Sequence, residues 1–197
     1  MKHHAAMPVA EVPAFMREVR ARDDISARAL EFLILTAART NETIGARRAE
    51  VDLAAKEWIV PAARMKGARE HIVPLSARAC EIIASLPKSG GYLFPGAVAG
   101  KPLSNMAMLE LLRGMRSGLT VHGFRSAFRD WAGDRTTFAR EVIEFALAHG
   151  IKDETEAAYR RSTAIEKRRK LMAKWCEFCR STDSTSAKII PIGRGRK

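Results

Sequence analysis

The 197-residue chain is poor in cysteine, in aromatic residues and in acidic charge. Three cysteines, Cys80, Cys176 and Cys179, cannot make the paired framework of a small secreted scaffold, and they point to a reducing compartment. Cys176 and Cys179 form a C-x-x-C in "CEFC", but no second pair follows at zinc spacing. The motif also falls on a predicted helix, so reduced core cysteines are the better reading than a metal or redox centre. Long apolar runs are missing as well. "LEFLILTAA" is far short of the roughly 18 residues of a membrane span. "MKHHAAMPVAEVP" lacks the apolar core of a signal peptide. No membrane association is expected. Acidic residues number 22 against 34 lysines and arginines, a net charge of +12. That excess predicts a polyanionic partner, nucleic acid first among them. The length suits one sizeable domain, or one domain and a tail, with a core that needs neither disulfides nor metal.

What is present is mostly helical periodicity. "EVPAFMREVRAR" puts Val12, Phe15, Met16 and Val19 on one face. "SARALEFLILTAA" takes Ser26 as its N-cap and lines up Ala29, Leu30, Leu33, Ile34 and Ala37. Further helices are expected from Ser76 to Pro87, over "SNMAMLELLRGM" from Ser104, over "VHGFRSAFRDWAG", and over "FAREVIEFALAH". A last one opens with the capping box Thr163 and Glu166. One region differs: "WIVP" and "HIVPL" are short β-rich runs around the basic bend "ARMKGARE". They predict a hairpin or small sheet with Lys66 near its tip. The fold class is therefore mainly α with a small antiparallel β-sheet or hairpin. Residues 1–10 read as linker or added residues, 11–180 as one domain, and 181–197 as a flexible basic tail.

Several polar residues stand in suggestive places. Tyr159 in "EAAYRRS" is one of two tyrosines. A phenol is a weak nucleophile at neutral pH, and attack on a phosphodiester would need cationic donors for the phosphoryl oxygens. No metal cluster is apparent, but arginines are. His122 and Arg125 are spaced i,i+3, as a cleft-facing pair or as a surface pair. Arg39 follows an apolar helix, three residues before Glu42, as an oriented donor or as a structural ion pair. Lys66 is a proton donor or a plain phosphate contact. His149 is a phosphate donor or a helix-capping histidine. Arg64, Arg69, Arg160 and Arg161 are candidate DNA contacts. Tyr92, in the turn-rich "GGYLFPG", reads as a packing residue.

Taken in order, these residues resemble the catalytic domain of the tyrosine recombinase (phage integrase) family. The closer likeness is to integrases of prophages and genomic islands. The family pattern of Arg, Glu or Asp, Lys, His-x-x-Arg, His or Trp, and Tyr is matched by Arg39, Glu42, Lys66, His122, Arg125, His149 and Tyr159. Context carries the likeness too: "LILTAARTNE", "RMKGAREHIVPLS", "LSNMAMLELL", "TVHGFRSAFRDWA" and "EAAYRR". Asn41 and Arg48 stand where the family often has Gly and Trp.

The resemblance implies a DNA breaking-rejoining fold and a 3′-phosphotyrosyl intermediate formed by Tyr159, without metal, ATP or other cofactor. It implies that Arg39, Arg125 and His149 hold the phosphate, Lys66 acts as general acid, His122 assists proton transfer, and Glu42 supports the arginines. The implied partners are double-stranded attachment sites, with a homo-tetramer on DNA and a monomer for the isolated domain, in the cytoplasm of a bacterial cell. Such integrases usually carry a helical core-binding domain ahead of the catalytic one. An isolated domain or a truncated product is therefore expected. A noncatalytic DNA-binding remnant and a topoisomerase-like nicking-closing enzyme are the alternatives.

Overall fold

The computed structural model describes residues 5–88, 90–149 and 161–182, with side chains of the last segment described from Ala164 onward. Eight α-helices run through the described residues: α1 Val12–Arg20, α2 Ile25–Thr36, α3 Thr40–Ile44, α4 Ala77–Ser85, α5 Ala107–Met115, α6 Gly123–Arg135, α7 Arg140–Ala146 and α8 Arg161–Arg180. Three short strands, β1 Val51–Asp52, β2 Glu57–Val60 and β3 His71–Pro74, form an antiparallel sheet in that order. The expected hairpin is β2–β3, with Trp58 opposite Val73 and Val60 opposite His71. The two-residue β1 is an addition too short to show a period in the sequence.

Three helix starts differ from the sequence expectation. α2 begins at Ile25, and its cap is Asp24, whose carboxylate accepts the Ala27 N–H at 2.9 Å. Ser26 is already inside it. α5 begins at Ala107, so Ser104 lies in the loop before it. α8 is helical from Arg161, which places Thr163 within the helix and not at its cap. At α2 two short polar residues, Asp24 and Ser26, compete for the cap, and Asp24 takes it, whereas the cap position of α5 is Met106, with no side-chain cap.

α2 runs through the centre of the core. Phe32 packs on Trp58 of β2 and on Phe94, each at a ring separation of 5.4 Å. Trp175 of α8 donates its indole N–H to the Ile34 carbonyl at 2.8 Å and packs against Phe128 and Trp131 of α6. Fully burying side chains of this size contributes about 1.5–3 kcal/mol each. Cys176 and Cys179 lie buried in the same α8 face. Tyr92 receives an N–H from Arg47 at 3.2 Å and carries that guanidinium over its ring, a packing role. Residues 5–11, assigned to a linker in part by the sequence, pack on the body. Met7 is buried, and the Ala5 carbonyl accepts the Thr120 N–H at 3.2 Å. Gly123 permits that crossing, because a Cβ there would stand 2.4 Å from the Ala5 oxygen. Among the described residues, no helix is long and apolar enough to cross a membrane.

Candidate active site

Three chain segments bring two arginines and a histidine together where α2, α6 and α7 end or begin. α2 stops at Thr36, and Ala37 turns the chain in the left-handed region with φ 51°. The exit delivers Arg39 to the start of α3. Glu42, 4% exposed, accepts the Arg39 backbone N–H at 2.8 Å and its Nη1 at 2.6 Å. One carboxylate thus caps α3 and orients the arginine side chain. Arg39 Nη2 lies 3.5 Å from the Ala148 carbonyl. The two residues singled out three apart in the sequence thus form an ion pair.

Arg125 enters from α6 and is 5% exposed. Its Nη1 donates to the Ala37 carbonyl, and its Nη2 donates to the Leu147 carbonyl at 2.5 Å and faces His149 Nε2 at 3.3 Å. These acceptors are neutral. Among the described residues Arg125 makes no ion pair, so its charge is uncompensated by direct contact. Burial, and then the neighbouring Arg39, lower its pKa to about 10 against the pull of Glu42 and Glu144. It remains cationic at neutral pH. A buried, oriented guanidinium beside a second one is a ready site for an anion with planar, paired acceptors.

His149 is placed by the way α7 ends. Its N–H reaches the Glu144 carbonyl at 3.0 Å and the Ala148 N–H reaches the Phe145 carbonyl at 3.1 Å, with Ala148 at φ 51°. This is a Schellman turn, with alanine at the position that glycine favours. The turn folds His149 back over Glu144, whose Oε2 lies 2.5 Å from Nδ1. That partner assigns the proton to Nδ1 and leaves Nε2 directed at Arg125. Arg129 holds the other Glu144 oxygen at 2.8 Å. Burial opposes ionisation of Glu144, yet the His149 hydrogen bond and Arg129 hold its carboxyl below the usual value.

The remaining predicted residues are placed differently. His122 is exposed immediately before α6, while Arg125 points inward, so the i,i+3 pair divides between surface and interior. Lys66 and Arg69 are exposed on the β2–β3 loop, outside the arginine cluster. Arg64 turns inward, to Glu50 and to the Glu42 carbonyl. Its guanidinium is therefore held within the protein and not extended as a DNA contact. Tyr159 and Arg160 lie outside the described residues, and of Arg161 only the helical backbone is described.

Glu144, Arg129 and His71 belong to this region and were not singled out from the sequence. Glu144 lies five residues before His149 and Arg129 four after Arg125, spacings that offered a signal. His71 opens β3 and offered none. Burial, then Arg168, lower its pKa to about 4, with Arg125 and Arg39 adding to the effect and Glu42 opposing it. Its ring is therefore neutral at physiological pH. Among the described residues no group of three His, Cys, Asp or Glu side chains is placed to hold a metal ion.

Comparison with known proteins bears on the family and the fold. Residues 6–165 match the phage integrase family. Prophage integrase IntA of Escherichia coli K12 is 36% identical over 194 residues, covering 94% of this chain and 47% of that protein. Prophage integrase IntZ of the same strain is 33% identical over 181 residues, covering 89% and 45%. The chain thus spans about half the length of the curated relatives it matches. In fold it is similar to the integrase from mycobacterium phage Brujita, with a TM-score of 0.66 and 20% identity over 89% of this chain and 60% of that one. The match across most of the chain, on a mainly helical body with a three-stranded antiparallel sheet, shows that this chain belongs to the phage integrase family.

Proposed function

We propose that the chain is the catalytic part of a site-specific DNA recombinase that cuts and rejoins DNA through a 3′-phosphotyrosine intermediate. The observation that carries the reading is the meeting of Arg39, Arg125 and His149, from segments more than twenty residues apart, around carbonyls and one imidazole. Attack on a phosphodiester adds charge to the non-bridging oxygens, and two oriented guanidinium groups in a partly water-excluded site stabilise it.

In the proposed step Tyr159 is the nucleophile. Its oxygen forms a bond to phosphorus while the bond to the 5′ oxygen breaks. The phenol proton passes toward His122, and the leaving oxygen takes a proton from Lys66. Arg39, Arg125 and His149 hold the phosphate, and Glu42 holds Arg39. The phosphotyrosyl ester conserves the bond, so the reverse attack by a 5′ hydroxyl reseals the strand. Double-stranded attachment sites are the substrate in this reading. Exchange between two duplexes requires four protomers on DNA, and a bacterial cytoplasm is the setting.

A trapping assay tests it. A nicked duplex that loses a short fragment on cleavage is incubated with the chain, and the adduct is mapped by mass spectrometry. The adduct is expected at Tyr159, and Tyr159→Phe is expected to form none while still binding the duplex. Strand cleavage by Tyr159→Phe at the normal rate would sink the assignment.

A further inference from the structure

Arg64 lies two residues before Lys66, at the end of the 3-10 turn Ala62–Arg64 on the β2–β3 loop. Its Nη1 stands 2.5 Å from both carboxylate oxygens of Glu50. Its Nη2 donates to the main-chain carbonyl of Glu42. Both partners are themselves fixed. Glu50 accepts the indole N–H of Trp58 at 3.0 Å, and Trp58 is fully buried. Glu42 is the residue that holds Arg39. Met65, between Arg64 and Lys66, is buried among core residues. Gly45 leaves the room for the guanidinium, since a Cβ there would stand 3.1 Å from Arg64 Nη2. A continuous set of contacts therefore runs from the loop that bears Lys66 to the side chain of Arg39.

We propose that Arg64 is a positioning residue for cleavage. It sets the Lys66 loop against the Glu42–Arg39 clamp, so that the proton donor and the clamp meet one phosphate. The inference rests on the reading of Lys66 as general acid. An arginine suits the task because its planar fork reaches a carboxylate on one side and a carbonyl on the other, which a lysine ammonium does not reproduce. Exposed loops are the first segments to open, and the Arg64 contacts tie this one to the body of the protein.

The leaving group separates this role from a merely structural one. With a 5′ oxygen, the P–O bond breaks as Lys66 gives its proton and becomes a neutral amine. With a bridging 5′ sulfur, the P–S bond breaks and the sulfur departs as thiolate with no proton, because a thiol ionises near pH 8.5. A sulfur substrate therefore bypasses the proton donor and whatever positions it.

The probe is a nicked duplex recovered from a randomised library by covalent capture with the wild-type chain, then made with either 5′ oxygen or 5′ sulfur at the scissile phosphate. Arg64→Ala is expected to form adduct at least about tenfold more slowly on the oxygen duplex and within about threefold of wild type on the sulfur duplex, as Lys66→Ala does. Arg39→Ala should stay slow on both. Gly45→Val keeps the arginine but crowds it, and should show the same pattern more weakly. If Arg64→Ala does not fold by circular dichroism, Gly45→Val and Arg64→Lys decide on the same two substrates. Equal losses on both duplexes, or wild-type rates on both, overturn the positioning role. If Lys66→Ala is rescued by sulfur and Arg64→Ala is not, the general-acid reading stands and this inference falls. If Lys66→Ala is not rescued, the general-acid reading falls and takes the inference with it; if the library yields no covalent adduct with the wild-type chain, the cleavage reading falls and both go with it.

Discussion

Glu144 and His149 are joined twice. The Glu144 carbonyl accepts the His149 backbone N–H at 3.0 Å, and its carboxylate meets Nδ1 at 2.5 Å. The helix end and the imidazole are thus set by one residue. Glu144→Gln replaces the carboxylate that meets Nδ1 with a neutral amide and loosens the hold on the ring that faces Arg125. Cleavage should slow by about tenfold with duplex binding retained. Single-turnover adduct formation checks this, and an unchanged rate means that the turn alone positions His149.

Arg125→Lys should lose cleavage by about a hundredfold or more, the scale of one removed oxyanion donor. One ammonium cannot reach the Ala37 and Leu147 carbonyls and a phosphate together. The adduct assay reads it directly. Rates near wild type would show that charge suffices at this position.

His71 predicts a pH effect on stability. Its pKa falls from 6.5 to about 4 on folding, chiefly through burial. The unfolded chain then binds the extra proton first as pH falls, so stability is complete above about pH 6.5 and declines toward pH 4. Urea midpoints between pH 7 and pH 4.5 measure the slope. His71→Asn should flatten it.

Glu31 makes the opposite kind of contribution. It is fully buried on α2 and accepts from Arg20 at 2.9 Å and from Arg78 at 2.9 and 3.0 Å. Burial raises its pKa, and the two arginines overcome that and hold it below the ordinary 4.5. Its stabilisation is present above about pH 4.5 and is lost as pH falls through the lower folded value. Glu31→Gln leaves the arginines facing a neutral amide, and should cost about 2–4 kcal/mol at pH 7 by denaturant melts.

Ala148 occupies the left-handed position of the α7 Schellman turn, where a Cβ costs energy. Ala148→Gly should stabilise the chain by up to about 1 kcal/mol, and Ala148→Val should destabilise it by more than that. Thermal melts of the two variants give the sign of each.

The linear chain already determined the helical class, the β2–β3 hairpin and the apolar faces. Periodicities of 3.6 and 2 are properties of neighbouring residues. Pairings within a few residues were legible as well: Arg39 with Glu42, and Ser76 as the cap of α4. The start of α2 was less so, because both Asp24 and Ser26 could cap it and the structure gives the cap to Asp24. The tertiary structure alone decided what long-range burial controls. It turned Arg125 inward to carbonyls 88 and 22 residues away, and His122, three positions earlier, outward. It also gave Arg64 to Glu50 and Glu42, when its place in a basic bend suggested DNA. A charge in a sequence carries no direction. Only the packed chain settles whether an arginine faces solvent or its own carbonyls, because a guanidinium that loses water must take the acceptors its new surroundings provide.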